Sequence, residues 1–403
     1  MQFILKNIYS NFKDIQAVGI DGTSKQKFDE ILDEELNIIE RKTENNSYDF
    51  SFYKQKLIVK SINKTREISI PTLRDKLVLK YLYNNIFEAF SSKLNESLTA
   101  QKTISEVKKY KDNFNSFIKI DIQNFFPSIN HQILLNKLIS EIKDEKILNL
   151  IEKAISQTTV DINTSFKQRI KYNNKVGIPQ GLSISGILAE IYIYDLVQKY
   201  NKSNLKFFRY VDDVLILCNR EDIADTIKSL KNDFEELKLT IHDFEVNSNK
   251  SSYGNIQDTF EFLGYRFENE LISVRDASVQ KMYGNISKLF TKYKNKKFNS
   301  KNEFITRLNL KITGCVIDEK KYGWISYFSL INDFKLLFGL DVFVEKNCKK
   351  YNIEHSEIKK FTRAIHEIKN VDSNYLIYDL KVFKISKEEL INDFYEDMDF
   401  YHH

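Results

Sequence analysis

The sequence is poor in cysteine, proline and glycine. Its 403 residues include 3 cysteines, 3 prolines and 11 glycines. The cysteines, Cys218, Cys315 and Cys348, are far apart and form no CxxC pair, and the 6 histidines form no HExxH motif. A small module stapled by disulfides or folded around zinc is therefore excluded. The scarcity of proline and glycine favours long helices and few loose linkers.

Long hydrophobic runs are also absent. No stretch of about 18 apolar residues occurs, and the N-terminus has no signal-peptide pattern. The composition, 42% hydrophobic and 29% charged, is that of an ordinary globular protein. We therefore expect no membrane association and a cytoplasmic location, where cysteines stay reduced.

The net charge is only +5, but it is unevenly distributed. Residues 53–111 carry thirteen Lys or Arg against five Asp or Glu, and residues 275–370 carry twenty against ten. The segment 385–403 reverses the sign, with one Lys against six acids. The two basic segments are predicted to form the walls of a groove that binds nucleic-acid phosphates. Lys-rich helices that only keep the protein soluble are the alternative.

Hydrophobic periodicity predicts a mixed α and β region followed by a helical one. Alternation predicts a hairpin over 57–70, a strand over 117–122, two strands over 206–218 and a strand-turn-strand over 239–267. Helical spacing predicts helices over 73–90, 131–156, 185–200 and 221–238. After about residue 274 the alternation stops and helical sequence continues, so the one predicted boundary lies there.

Three aspartates occupy positions where a lone carboxylate is unfavourable. Asp212 and Asp213 are adjacent in a Tyr-Val-Asp-Asp sequence at the tip of a predicted hairpin, and Asp121 lies within a predicted strand. Adjacent acids repel each other, and a buried carboxylate is costly unless a cation neutralises it. Neighbouring strands would bring the three acids together to bind two divalent cations, and Mg²⁺ suits such all-oxygen ligands. A solvated acidic turn is the alternative.

The aspartates belong to an ordered set of short motifs, and all 3 prolines fall within such motifs. In chain order the motifs are Arg66 with Arg74, Asp121-x4-Phe126, Gly177-Ile-Pro-Gln-Gly-Leu-Ser-Ile-Ser-Gly186, Tyr210-Val-Asp-Asp213, Lys250 and Phe262-Leu-Gly-Tyr265. This order resembles the fingers segment and motifs A to E of reverse transcriptases, over residues 55–270.

The resemblance implies an α+β right-hand polymerase. Residues 1–272 would form the fingers and palm, an antiparallel sheet packed by helices. Residues 273–403 would form an α-helical thumb that binds RNA and ends in an acidic tail. The implied reaction is RNA-directed DNA synthesis, in which a primer 3′-hydroxyl attacks a dNTP with the help of two Mg²⁺ ions. Mn²⁺ is expected to substitute for Mg²⁺.

The resemblance assigns the catalytic positions residue by residue. Asp121, Asp212 and Asp213 would bind the metal ions, together with the backbone carbonyl of Ile122. Lys250 would donate a proton to the leaving pyrophosphate, and a plain solvated lysine in a polar loop is the alternative.

Nucleotide and primer contacts are implied in the same way. The residues expected to bind the dNTP are Lys64, Arg66 and Arg74 at the triphosphate, Phe126 against a ribose 2′-hydroxyl, and Gln180 and Gly181 at the base pair. The primer would be gripped by Phe262, Leu263, Gly264 and Tyr265. For Arg74 an ordinary helix N-terminal residue paired with Asp75 is the alternative.

Features outside the motifs narrow the type of reverse transcriptase. No protease, integrase, RNase H or HNH-like segment is recognisable, which favours a stand-alone enzyme. Gly19-Ile-Asp-Gly22 resembles an extension of group II intron-like bacterial enzymes, and Ile312-Thr-Gly314 is similar to the Val-Thr-Gly of retron enzymes. The Asn-Ala-x-x-His of retrons is missing, and the tail is acidic, unlike the DNA-binding tail of mobile-intron maturases.

The remaining resemblance is to the stand-alone bacterial "unknown group" and abortive-infection reverse transcriptases, which act in defence against phage. It implies a dedicated non-coding RNA as template or scaffold, a cDNA product and dNTP substrates, and it leaves open a homo-oligomer or a partner protein. The alternatives are a retron or other retroelement enzyme, an untemplated or protein-primed DNA polymerase, an RNA-dependent RNA polymerase and a non-enzymatic RNA-binding scaffold. Phe126 argues against the RNA polymerase, and the intact acid triad argues against the scaffold.

Overall fold

A computed structural model describes residues 1–12, 17–61, 64–94, 99–169, 174–201, 204–244, 250–370, 373–378 and 385–397. The strands are β1 (Tyr53–Ser61), β2 (Lys64–Ile70), β3 (Ser116–Asp121), β4 (Thr159–Val160), β5 (Lys206–Tyr210), β6 (Asp213–Cys218), β7 (Ser252–Asn255), β8 (Phe260–Phe262), β9 (Tyr265–Glu268), β10 (Leu271–Val274), β11 (Cys315–Ile317) and β12 (Lys320–Tyr322). The helices are α1 (Gln2–Ser10), α2 (Lys25–Glu30), α3 (Leu32–Glu44), α4 (Leu73–Ala89), α5 (Ser91–Leu94), α6 (Ala100–Tyr110), α7 (Phe125–Ser128), α8 (His131–Glu141), α9 (Glu145–Ser156), α10 (Ser185–Asn201), α11 (Ile223–Glu236), α12 (Asp276–Lys294), α13 (Lys301–Thr313), α14 (Trp324–Tyr327), α15 (Phe334–Lys350), α16 (Phe361–Glu367) and α17 (Lys387–Asp397). The chain is thus a mixed α+β protein, as predicted.

The predicted hairpin over 57–70 is present as β1 and β2. A parallel pairing of β1 with β4 completes this N-terminal sheet. Pro71 follows the hairpin, and Thr72 then caps α4, because its side chain accepts a hydrogen bond from the N–H of Asp75. The predicted helix over 73–90 is confirmed, and α1 and α3 pack against it.

The central sheet has the strand order β5-β6-β3-β7, with every pairing antiparallel. Side chains alternate between the two faces of a strand. Ile118 and Ile120 of β3 therefore join the core beneath α10 and α11, whereas Phe117 points to the other face and stacks on Phe260 of β8 at 4.6 Å between ring centroids. The central sheet consequently lies between two hydrophobic cores.

The second core joins the hairpin sheet β8-β9-β10 to helices α12 to α16. The change from strands to helices occurs between Val274 and Asp276, close to the boundary predicted at residue 272. This core is continuous across that point, since Phe267, Ile272 and Phe290 all belong to it. The division into two domains at 272 therefore stays a prediction.

Three predictions of secondary structure are wrong. The strand-turn-strand predicted over 239–267 is instead the three short strands β7, β8 and β9, which belong to two different sheets. The helix predicted over 131–156 is two helices, because Asp144 caps α9 by accepting hydrogen bonds from two backbone N–H groups of its first turn. The region after Val274 is not purely helical either. There β11 and β12 form a hairpin whose turn residues, Asp318 and Glu319, both have positive φ angles.

The acidic C-terminal segment folds onto the helices that precede it. Leu390 and Phe394 of α17 belong to a small third core, and Glu389 pairs with Arg307 of α13 at 2.9 Å. The end of the predicted acidic tail, residues 398–403, lies outside the described ranges. Over those ranges, no helix is both long and apolar enough to cross a membrane.

Candidate active site

Two of the acids predicted to act together lie on paired strands. In the antiparallel pairing of β3 with β6, Asp121 is directly opposite Asp213. The side chains of two directly paired residues lie side by side on one face of the sheet, so the carboxylates of Asp121 and Asp213 are neighbours. Asp212 is exposed in the tight turn between β5 and β6. The structure therefore brings Asp121 and Asp213 together and places Asp212 next to them.

The turn that carries Asp212 has an uncommon backbone conformation. Tyr210 pairs with Asp213 across the hairpin, so Val211 and Asp212 alone connect the strands. Val211 has a φ of 57°. This is the left-handed region, in which a β-branched residue is rarely found. Tertiary contacts must therefore hold Val211 in this conformation.

Negative charge is concentrated at the tip of this hairpin. Burial raises the pKa of Asp213 to about 7, and the charges of Asp212 and Asp121 act in the same direction. Lys119 and Arg275 oppose this shift in pKa. These cations are nearby but do not neutralise the acids fully. Such an excess of carboxylate charge is typical of a site that binds a metal cation.

Asp121 has two basic neighbours. Lys250 Nζ forms an ion pair with Asp121 Oδ2, and His242 Nε2 lies 3.6 Å from the same oxygen. The Asp121 N–H donates to Ser251 Oγ at 3.2 Å, and the His242 N–H donates to the Asp121 carbonyl at 3.1 Å. The structure thus brings Lys250 to the acids, while its role in proton transfer stays a prediction.

The donor atoms suit a hard divalent cation, because Mg²⁺ prefers carboxylate oxygens such as those of the three aspartates. Within the described part of the chain, however, no three His, Cys, Asp or Glu side chains are grouped closely enough to hold one ion. Lys250 engages one oxygen of Asp121, and Asp212 faces solvent. Metal binding would therefore require the side chains of Asp121 and Asp212 to turn toward Asp213. The Ile122 side chain is a hydrocarbon without a donor atom, so only its backbone carbonyl can contribute.

Arg66 connects the N-terminal sheet to the loop that contains Gln180. Arg66 Nε donates to Gln180 Oε1, and the Ser69 N–H donates to the Gln180 carbonyl at 2.7 Å. Burial lowers the pKa of Arg66, whereas the negative charge of Asp212 acts to raise it. The guanidinium is thus within electrostatic reach of Asp212. The N-terminal sheet, the loop that contains Gln180 and the acidic turn therefore border one site.

Gly181 and Phe126 line a groove that reaches Val211 of the acidic turn. Gly181 has a φ of 103°, and a Cβ at this position would lie 2.7 Å from Ile68 Cγ2, so a larger residue does not fit. Phe126 is buried in α7, and its carbonyl accepts a hydrogen bond from the Ile178 N–H at 3.0 Å. Both line a groove of about 900 Å³ that extends along α4 and α10 to Val211.

Of the other predicted triphosphate ligands, Arg74 is engaged outside this cluster. The Arg74 guanidinium binds the Glu35 carboxylate of α3 through two hydrogen bonds, one of them at 2.7 Å. Its ion-pair partner is therefore Glu35 and not Asp75, which was the alternative from the sequence. Lys64 begins β2, but its side chain lies outside the described part of the structure. Triphosphate binding by both residues stays a prediction.

The predicted primer hairpin is present, but its side chains are packed in the second core. Phe262, Leu263 and Tyr265 are each at most 3% exposed. Leu263 and Gly264 form the turn between β8 and β9, and both have positive φ angles. The Tyr265 hydroxyl donates to the Tyr327 carbonyl, and the Tyr327 hydroxyl donates to the Leu263 carbonyl at 3.0 Å. The hairpin thus joins the sheets to α14, and its contact with a primer stays a prediction.

Several charged residues near the acids or their turn were not predicted from the sequence. They are Lys119, Glu190, Arg209, His242 and Arg275. Strand alternation could have identified Lys119, because it lies two residues before Asp121 and shares its face. Arg209 lies three residues before Asp212 in the same hairpin. Glu190, His242 and Arg275 are brought to this region by contacts between distant segments, and no local pattern marks them.

A central antiparallel sheet with a facing acid pair, an acidic hairpin turn and an adjoining basic hairpin defines a right-hand polymerase fold. Residues 53–267 match the family described as reverse transcriptase (RNA-dependent DNA polymerase), and the chain belongs to this family. The structure is also similar to that of apo telomerase from Candida tropicalis. That match has a TM-score of 0.51 and 16% identity, and it covers 91% of this chain and 73% of the telomerase.

Curated relatives include intron-encoded proteins. A putative COX1/OXI3 intron 2 protein of Saccharomyces cerevisiae is 30% identical over 199 residues, which are 48% of this chain and 23% of the yeast protein. The group II intron-encoded protein LtrA of Lactococcus lactis is 26% identical over 217 residues, which are 51% of this chain and 34% of LtrA. The matched segments are thus 23% and 34% of these relatives' own length.

Proposed function

We propose that the chain is an RNA-directed DNA polymerase. The observation that carries this proposal is the register of β3 and β6, which sets Asp121 opposite Asp213 with Asp212 in the adjoining turn. Membership of the reverse transcriptase family supports the same activity. The relatives are longer proteins, so the activity is proposed for this chain on the residues of its own site.

The site residues have distinct tasks when a primer 3′-hydroxyl attacks the α-phosphate of a dNTP. Two Mg²⁺ ions, bound by the three aspartates and the Ile122 carbonyl, would supply activation of the hydroxyl and neutralisation of the leaving oxygen. Asp121 must exchange Lys250 for this role. The Lys250 ammonium can then turn toward the leaving pyrophosphate and give it a proton.

The fingers side would select and orient the nucleotide. Arg66 contacts Gln180 and is within electrostatic reach of Asp212, and its guanidinium can form paired hydrogen bonds with phosphate oxygens. The Phe126 ring would collide with a 2′-hydroxyl and so favour dNTPs over rNTPs. Gln180 and Gly181 would contact the new base pair, since the absence of a side chain at Gly181 lets the backbone approach it.

The biological role that we propose is defence against phage, in the cytoplasm of a bacterium and together with a dedicated non-coding RNA. The support is the resemblance of the motifs and of the helical region after Val274 to stand-alone bacterial enzymes. Twenty basic residues against ten acids over 275–370 would favour RNA binding by these helices. A retron-like enzyme and an untemplated or protein-primed polymerase are the competing roles.

The test is to purify the protein from cells that carry its native flanking DNA and to sequence the bound nucleic acid. Labelled dNTPs and Mg²⁺ are then added without external template or primer. One abundant RNA together with complementary DNA is the expected result. DNA branched to the RNA would indicate a retron, and DNA without a complementary RNA would indicate untemplated or protein-primed synthesis. Failure to extend even an added DNA primer on an RNA template would contradict the polymerase.

A further inference from the structure

We propose that Arg209 and Glu190 position the catalytic turn by holding Val211 in its left-handed conformation. The proposal rests on the proposed polymerase function, because the turn carries Asp212 and leads directly into Asp213. Neither Arg209 nor Glu190 is assigned to the metal or to the nucleotide. They act through the backbone of the turn and are therefore positioning residues.

Arg209 approaches the turn from the face of the sheet opposite to the acids. It pairs with Val214 across β5 and β6, one step out of phase with the pair of Tyr210 and Asp213. Its side chain therefore points away from the carboxylates and toward α10. There Nη1 donates to the Val211 carbonyl and Nη2 donates to Glu190 Oε2.

The bond to the Val211 carbonyl restrains the whole turn. The peptide unit is planar, so a fixed carbonyl oxygen on Val211 also fixes the direction of the Asp212 N–H. Valine has no intrinsic preference for a φ of 57°. Without the guanidinium, the turn would populate other backbone conformations, and the Asp212 side chain would then project from the turn in a different direction. The bond thus sets the geometry of an acid that it does not touch.

Glu190 makes this arrangement stable. The Arg209 side chain is only 5% exposed, and a guanidinium so deeply buried needs a counter-charge. Glu190 provides it from α10, while being 36% exposed itself. The same helix begins at Ser185, whose hydroxyl donates to the Pro179 carbonyl at 2.5 Å. The pair therefore connects the acidic turn to the loop that contains Gln180.

The first test is a double-mutant cycle in single-nucleotide primer extension. Arg209→Ala is expected to lower kcat about 10- to 100-fold and to change the KM for dNTP less than threefold, because the acids are misplaced while nucleotide contacts remain. Adding Val211→Gly should restore about tenfold of the lost kcat, since glycine adopts a positive φ readily. The control is Lys199→Ala. It removes an ion pair between Lys199, which is on α10 like Glu190, and Asp233 of α11, and it should change kcat less than twofold.

The second test needs no activity. Hydrogen–deuterium exchange of a peptide covering residues 209–214 should be about tenfold faster in Arg209→Ala than in the wild-type protein, because the turn opens more often. Exchange at α17 should be unchanged. If Arg209→Ala does not fold, Glu190→Gln is measured instead. It should change kcat and the exchange rate of residues 209–214 in the same directions, but by smaller factors.

The proposal is overturned if Val211→Gly restores no activity to Arg209→Ala, or if the exchange of residues 209–214 is unaltered. A loss of activity that lies mainly in the KM for dNTP also contradicts it. A wild-type protein without polymerase activity would contradict the proposed function instead, and the exchange comparison would still decide whether Arg209 holds the turn.

Discussion

Two hairpin turns of the described structure can be compared directly. One consists of Val211 and Asp212 between β5 and β6, and the other of Leu263 and Gly264 between β8 and β9. Val211, Leu263 and Gly264 all have positive φ angles. The first turn is polar, with Asp212 exposed to solvent, whereas Leu263 is 3% exposed and the second turn is packed in a hydrophobic core.

The comparison shows two ways of stabilising the same kind of backbone. In the buried turn, packing and the hydrogen bonds of Tyr265 and Tyr327 are sufficient. The acidic turn must leave its carboxylates accessible, so only Val211 packs against the core and Arg209 adds a charged hydrogen bond to its carbonyl. We therefore expect substitutions at the acidic turn to affect activity more than stability, and substitutions at the buried turn to do the reverse.

The largest expected effect is on activity at the acidic turn. Asp213→Asn should lower primer extension at least about 1,000-fold, because it removes a proposed metal ligand at the start of β6. The metal-free variant should melt no lower than the wild-type protein, since one repelling charge has been removed. Asp225→Ala, an exposed acid at the start of α11, is the matched control. An Asp213→Asn protein that retains a tenth of wild-type activity would contradict the site assignment.

The next effect concerns stability and pH. The pKa of Asp213 rises from 3.8 to about 7 on folding, so the folded state binds the extra proton between these values. Stability is therefore present at low pH and is lost as pH rises through about 4 to 7, by up to about 4 kcal/mol from this group. Urea unfolding of metal-free protein at pH 5 and pH 8 should show this loss in the wild-type protein and not in Asp213→Asn. If the unfolding free energies of the two proteins depend equally on pH, Asp213 does not have a raised pKa in the folded state.

A smaller effect is expected where the loop that contains Gln180 meets β2. Gly181→Ala places a Cβ 2.7 Å from Ile68 Cγ2 at a φ of 103°, so the loop must shift. We expect a loss of about 1–3 kcal/mol in stability. We also expect a raised KM for dNTP, because Gln180 moves with the loop. Gly186→Ala is the control, since nothing lies within 4 Å of a Cβ there. Similar KM values for the two variants would show that the close approach of Gly181 is unimportant.

The smallest effect belongs to the buried turn. Tyr265→Phe removes the hydroxyl that donates to the Tyr327 carbonyl, which should cost about 1–2 kcal/mol of unfolding free energy. Primer extension should change less than threefold. Tyr253→Phe, at a residue that is 38% exposed, is the control and should be neutral in both measurements. A loss of activity in Tyr265→Phe without a loss of stability would show that this hairpin contacts the substrate directly.

Much of the site could be predicted because its signals are local. The alternation around Asp121 gives the face of its side chain, and the apolar strands on both sides of Asp212 and Asp213 give the hairpin. The Pro71 and Thr72 sequence gives the end of the hairpin and the start of α4. In each case the residues that decide the structure are within a few positions of one another.

The remaining features depend on contacts between distant segments. Arg209 and Glu190 are 19 positions apart, and only the packing of α10 beneath the sheet brings them together. His242 reaches Asp121 from 121 positions away through a backbone hydrogen bond. The break before α9 depends on a cap at Asp144, which apolar spacing alone does not reveal. Sequence patterns therefore identified the acids but not the groups that hold them.

The most direct measurement is extension of a labelled DNA primer on an RNA template by the purified protein. It is made with dNTPs or rNTPs, and with Mg²⁺ or an excess of chelator. We predict DNA synthesis that requires Mg²⁺, is abolished by Asp212→Ala and strongly prefers dNTPs. Synthesis that continues in chelator, or that Asp212→Ala leaves intact, would contradict the claim that the acids of the central sheet form the active site of a polymerase.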